Sequence, residues 1–178
     1  RSFRVRPERV DEDLAHLATE TACVRTYSVQ QGLDAVPAAA QRHGLKVWLG
    51  VWIGRDAVEN EREIATAIDL ARRYRDTIAA IVVGNEVLLR REQPPERMAQ
   101  YLSEVRRAVD GIPVTYADVW EFWIQNAALA REVDFVTVHM LPYWEDLPIP
   151  VENAVGHAMA MYDHVKEKFP GKEVAIGE

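Results

Sequence analysis

Apolar positions along the chain follow two alternating rhythms. One is a spacing of three and four, seen in Val10, Leu14, Leu17 and Ala18, in Ile64, Ala67, Ile68 and Ala71, and in Met98, Leu102, Val105 and Val109. It recurs in Ala154, Val155, Ala158, Tyr162, Val165 and Phe169. That spacing gathers apolar side chains on one helical face, and each face is expected to pack on a sheet. The second rhythm is a short apolar or β-branched run, found at 22–27, 46–53, 78–83, 112–117, 134–139 and 173–177. Six predicted strands therefore alternate with helices. Gly44 after "AAAQRH" and Gly111 after "VRRAVD" stand where helices are expected to end, and Pro94-Pro95-Glu96 suits a helix start.

Regular alternation implies a parallel α/β sheet with right-handed crossovers, either doubly wound or closed as a (β/α)8 TIM barrel. A doubly wound nucleotide-binding fold calls for a glycine-rich turn after its first strand, and "TYSVQQGL" has neither the G-x-G-x-x-G nor the Walker pattern. The barrel also explains why polar and aromatic residues recur where strands end: Arg25 and Tyr27, Trp52, Asn85 and Glu86, Tyr116 and Asp118, His139, and Glu178. In a barrel all these ends open on one face, where active sites are built.

Composition narrows the field. The 178 residues are 48% apolar, enough for one domain with a real core. Against 28 acidic side chains stand 21 basic ones, a net charge of −7 with no basic block, so nucleic acid is not an expected partner. The one cysteine, Cys23, rules out an internal disulfide and reads as a core residue. No stretch approaches the roughly 20 apolar residues that span a bilayer, and the N-terminus lacks a signal-peptide core. A soluble domain, or a soluble piece of something larger, is expected.

The candidate chemistry rests on two carboxylates. Glu86 closes "IVVGNE" and Glu178 closes "VAIGE", so both side chains should face one barrel mouth. Cleavage of a glycosidic bond requires such a pair, one to protonate the leaving oxygen and one to attack or assist at the anomeric carbon. A pair about 5–5.5 Å apart retains configuration and one about 6.5–9.5 Å apart inverts it. Other barrel chemistries fit less well. A Schiff-base enzyme needs a strand-end lysine, whereas Lys46 starts its strand and Lys166, Lys168 and Lys172 lie in or just beyond a helix. A metal hydrolase needs several strand-end ligands, and only His139 qualifies, so no metal or cofactor is expected. His157 and His164 read as surface or packing residues.

Taken together, "CVRTYSV", "VVGNEV", "YADVWEFW", "DFVTVHMLPYWED" and "VAIGE" resemble glycoside hydrolase family 17, β-1,3-glucan-active members of a clan of retaining (β/α)8 glycosidases. The resemblance runs from about residue 20 to residue 178. It implies Glu86 as acid/base, Glu178 as nucleophile, and Asn85 as donor to the sugar 2-hydroxyl. It implies that Arg25 sits beside Glu178 and keeps it ionised, while Glu86, with less compensation, is protonated when substrate binds. Tyr27, Tyr116, His139 and Tyr143 are implied to line the sugar sites. Trp120 and Trp144 are placed to stack on a pyranose ring, whereas Trp48 and one of Trp120 and Trp123 read as core.

Only six of eight strands are visible, the first and eighth being absent, so the chain is expected to be a portion of a longer protein and inactive by itself. The expected activity is hydrolysis of β-1,3-glucan or transfer to another glucan, in the periplasm or outside the cell, with the soluble domain of a larger envelope protein as one setting. Two alternatives stand beside it: a carbohydrate-binding barrel without turnover, and a fragment completed by another chain.

Overall fold

A computed structural model of the chain describes residues 4–144 and 148–178. The strands are β1 (Cys23–Arg25), β2 (Lys46–Val51), β3 (Ile78–Asn85), β4 (Val114–Val119), β5 (Val136–His139) and β6 (Val174–Ile176). The helices are α1 (Pro7–Leu17), α2 (Val36–His43), α3 (Ala57–Arg73), α4 (Pro95–Ala108), α5 (Trp120–Gln125) and α6 (Val151–Lys168). Every run expected to be a strand overlaps one, with β3 and β4 each extending two residues past the expected end. The short α5, whose aromatic stretch has no clear helical period, was not foreseen.

All six strands pair in parallel and in chain order. A doubly wound sheet reverses its order at a switch point, and this one does not. It curls instead. Laid flat, six strands at 4.7–4.9 Å spacing would hold β1 and β6 about 24 Å apart, yet the Tyr27 hydroxyl just beyond β1 donates to Glu178 just beyond β6 at 2.8 Å. The result is a partial TIM barrel.

Local sequence accounts for the ends of the elements. Asp56 caps α3 by accepting the N–H groups of Val58 and Glu59 at 2.9 and 3.2 Å. Pro95 opens α4 as expected, and Gly44 ends α2 in the left-handed conformation. The helices lay their apolar faces on the convex side of the sheet, where Leu49, Ile64, Ile81, Met98, Leu102 and Val138 are at most 2% exposed. Among the described residues no helix is long and apolar enough to cross a membrane.

Three expectations about the core need correction. Cys23 is exposed, on a strand of only three residues. Trp48 is only half-buried, its ring edge-on to Phe135 at 5.3 Å. On α6 the sheet-facing stripe ends early: Val165 is buried, but Val155 is 77% exposed. Among the described residues the strand that α6 contacts is β6, only three residues long.

Candidate active site

Strand β3 reaches the mouth through the middle of the sheet, with Ala80 to Val83 at most 2% exposed. Its exit is a tight turn. Gly84 has φ +81°, and a Cβ there would lie 2.8 Å from Val87 Cγ2 and 3.0 Å from Met98 Cε. The glycine is needed where the backbone crowds the helix layer behind the sheet. Glu86 is itself left-handed, with φ +52°, a conformation that costs a non-glycine residue about 1–3 kcal/mol.

Neighbouring groups hold that turn in place. The Glu86 N–H donates to Ala117 O at 2.8 Å. The Leu88 N–H donates to the Tyr116 hydroxyl at 3.0 Å and to Asp118 Oδ2 at 3.2 Å, and the Tyr116 hydroxyl donates to Asp118. Asp118 is wholly buried, and desolvation pushes its carboxyl above the ordinary carboxylate range. Burial, followed by the charge of Asp118, pushes the Tyr116 phenol up, so it remains a donor. Tyr116, at 1% exposure, is therefore not a sugar contact but a prop behind Glu86. Strand alternation explains the difference. Thr115 bonds Thr137 across β4 and β5, and the next residue must face the helices.

Glu178 is held by different means. Its main-chain oxygen accepts the Met140 N–H at 2.9 Å, and its Oε1 accepts the Tyr27 hydroxyl at 2.8 Å. Arg25 Nη1 lies 3.6 Å from the same Oε1 and donates to Gly177 O at 3.1 Å, while Arg25 Nη2 donates to Asn85 Oδ1 at 2.6 Å. One guanidinium thus joins the ends of β1, β3 and β6. With its oxygen committed to Arg25, Asn85 keeps a donor as its other arm. The Arg25 guanidinium also lies 4.6 Å from the centre of the Tyr27 ring. Burial, then the bond to Glu178, pushes the Tyr27 phenol up, so it too stays protonated.

His139 occupies the space between the carboxylates. Its Nδ1 is 3.0 Å from Glu86 Oε1 and its Nε2 is 3.5 Å from Glu178 Oε1. It is wholly buried, so it does not line a sugar site but forms the floor between the two glutamates. One oxygen of each glutamate and a ring nitrogen of His139 lie within 4.8 Å of one another. Three such atoms are the ligand number a cation would need. Here, however, the Glu178 and Glu86 oxygens closest to His139 already have partners in Tyr27 and His139.

The remaining expected contacts fall farther out. Tyr143 and Trp144, on the loop after β5, are 73% and 79% exposed, with ring centres 5.2 Å apart. Trp120 is half-buried at the junction of α5 and α6, edge-on to His164 at 6.1 Å, which makes it a packing residue there. Trp123 is core, donating from its indole to Thr137 O at 2.8 Å. Sequence reasoning missed Arg90 as a site residue. Its Nη1 is 3.8 Å from Glu86 Oε2 and its guanidinium lies 4.5 Å from the Trp52 ring centre, so Glu86 has more compensation than expected. The available signal was the four-residue spacing from Glu86 to Arg90, which forms one turn when the chain coils after the strand.

The family model of the BtgE/BtgC glycoside hydrolase domain matches residues 5–178. A family 17 β-1,3-glucanosyltransferase from Rhizomucor miehei superposes with a TM-score of 0.86 at 28% identity, over 97% of this chain and 65% of that one. The chain belongs to glycoside hydrolase family 17. Within the family it is 31% identical over 144 residues to a glucan 1,3-beta-glucosidase of Schizosaccharomyces pombe, covering 75% of this chain and 45% of that protein. An endo-laminarinase from Formosa Hel1_33_131 shares the fold with a TM-score of 0.79 at 19% identity, over 98% of this chain and 61% of that one. This family 17 chain thus spans less than two thirds of these relatives.

Proposed function

We propose that this family 17 chain carries the catalytic pair of a retaining β-1,3-glucan hydrolase or glucanosyltransferase, as part of a single barrel domain in a longer protein. The observation that carries this reading is the meeting of Glu86 and Glu178, 92 positions apart in the sequence, with carboxylate oxygens within 4.8 Å. That separation suits direct attack by one carboxylate rather than activation of a water lodged between the two. Support for the substrate class comes from the Rhizomucor miehei enzyme, an active-site mutant of which is in complex with laminaritriose.

Glu178 is the nucleophile. Tyr27 and Arg25 fix its Oε1 and oppose its charge, so it attacks the anomeric carbon and forms a glycosyl ester as the leaving oxygen takes a proton from Glu86. Asn85 donates to the sugar 2-hydroxyl. Glu86 next takes a proton from the incoming water or sugar hydroxyl, which displaces Glu178 from the anomeric carbon and retains its configuration. Water completes hydrolysis, and a glucan hydroxyl completes transfer. Tyr143 and Trp144 offer exposed rings for sugar stacking, and the protein acts outside the cytoplasm on glucan chains.

The test uses the full-length protein and short β-1,3-gluco-oligosaccharides. Glu86→Gln should lower turnover by about 10³-fold or more while binding persists. Undiminished turnover would refute the assignment. Products longer than the substrate would establish transfer over hydrolysis.

A further inference from the structure

Helix α3 turns two polar side chains toward the sheet, Asn60 at 1% exposure and Glu63 at 4%. The rest of that buried stripe, Ile64, Ala67, Leu70 and Ala71, is apolar. A buried carboxylate is costly unless its oxygens are satisfied, and those of Glu63 are satisfied entirely by the loops at the mouth. Its Oε2 accepts the N–H groups of Val29 and Trp52 at 3.1 and 3.2 Å, and its Oε1 accepts the Ser28 hydroxyl. One turn earlier, Asn60 exchanges two hydrogen bonds with Gly54, of 2.8 and 2.9 Å. The loops after β1 and β2 are thereby tied to one helix and to each other.

What those loops carry gives the arrangement its meaning. Tyr27, next to Ser28, donates to Glu178. Trp52, whose own N–H Glu63 accepts, stacks against Arg90, and Arg90 faces Glu86. One buried carboxylate thus backs a contact to each member of the pair without touching either.

We propose that Glu63 is a positioning residue of the catalytic centre, locking the Tyr27 and Trp52 loops into one rigid wall. This inference rests on the proposed glycosidase activity. The geometry also sets which replacement should succeed. Both backbone donors meet the same oxygen, so a glutamine can keep its oxygen there and turn its amide toward the Ser28 hydroxyl. A leucine satisfies neither.

The experiment compares kcat, KM and thermal midpoint for Glu63→Gln, Glu63→Leu and Ile64→Ala in the full-length protein, with Glu86→Gln alongside. Ile64→Ala is the control for loss of stability on the same helix. Glu63→Leu should lose up to about 10²-fold in kcat through misplacement of the wall, while Glu63→Gln stays within about threefold of the parent and Ile64→Ala keeps its kcat. The proposal is overturned if Glu63→Leu keeps its kcat, if Ile64→Ala loses as much, or if Glu63→Gln is as poor as Glu63→Leu. Should Glu63→Leu fail to fold, Ser28→Ala carries the test, with a several-fold fall in kcat expected and an unchanged kcat overturning it. Failure of the underlying reading looks different, because Glu86→Gln would then remain active.

Discussion

The two glutamates of the pair stand on unequal foundations. Glu86 leaves an eight-residue strand in the middle of the sheet, flanked by strands on both sides and backed by Tyr116, Asp118 and Met98. Glu178 follows a strand of only three residues, which pairs with β5 among the described residues. Packing places the first carboxylate. Hydrogen bonds and charge from β1 place the second. The difference suits their proposed work: a proton donor can be locked in a strained turn, whereas a nucleophile that becomes an ester needs partners aimed at one oxygen.

The largest effect should come from breaking the weaker foundation. Arg25→Met removes the group that joins β1, β3 and β6, and kcat of the full-length protein should fall by about 10³-fold, as for loss of a preorganised electrostatic contact. A fall of less than tenfold would mean that Tyr27 and the backbone place Glu178 unaided. The next effect concerns stability. Ile81→Ala in β3, wholly buried in the middle of the sheet, should cost about 2–5 kcal/mol in denaturant unfolding. A cost below about 1 kcal/mol would remove β3 as the packed support of Glu86.

Smaller again is Tyr116→Phe, expected to cost about 1–3 kcal/mol because it leaves Asp118 buried with one donor fewer. The same change should lower kcat, since the turn carrying Glu86 loses a support. A stability loss with unaltered kcat would show that Asp118 alone holds the turn.

The smallest effect is a pH dependence. Burial raises the Glu63 carboxyl above its ordinary 4.5, despite the donors from Ser28, Val29 and Trp52. The folded state therefore holds a proton that the unfolded state has released, and this contribution is full below pH 4.5 and declines as pH rises through the folded-state value. Glu63→Gln has no proton to lose, so its thermal midpoint relative to the parent should climb as pH rises above 4.5. A relative midpoint that falls over this range would reverse the assignment.

The contrast between the two glutamates also bears on what could be read from the sequence. Six strands, the α4 start at Pro95 and the strand-end glutamates were legible because each depends on local period, turn chemistry or the abrupt end of an apolar run. Tyr116 was misjudged because residues at strand ends look alike in sequence while alternate positions face opposite layers. His139 was recognised as a mouth residue, but its burial between two carboxylates depends on curvature that brings β3, β5 and β6 around one point. Glu63 gave no local signal, since a carboxylate on an amphipathic helix reads as solvent-facing until the loops above it are in place. Cys23 and Val155 were placed in the core by their apolar neighbours, whereas both are exposed among the described residues.

The division of labour between the glutamates can be read directly by trapping the proposed ester. The full-length protein would be incubated with an activated 2-deoxy-2-fluoro β-1,3-gluco-oligosaccharide and digested, and the labelled peptide sequenced by mass. The account predicts one fluorinated glycosyl chain, less its leaving group, on the Glu178 carboxylate and none on Glu86. A label on Glu86, or turnover that inverts the anomeric configuration, would contradict it.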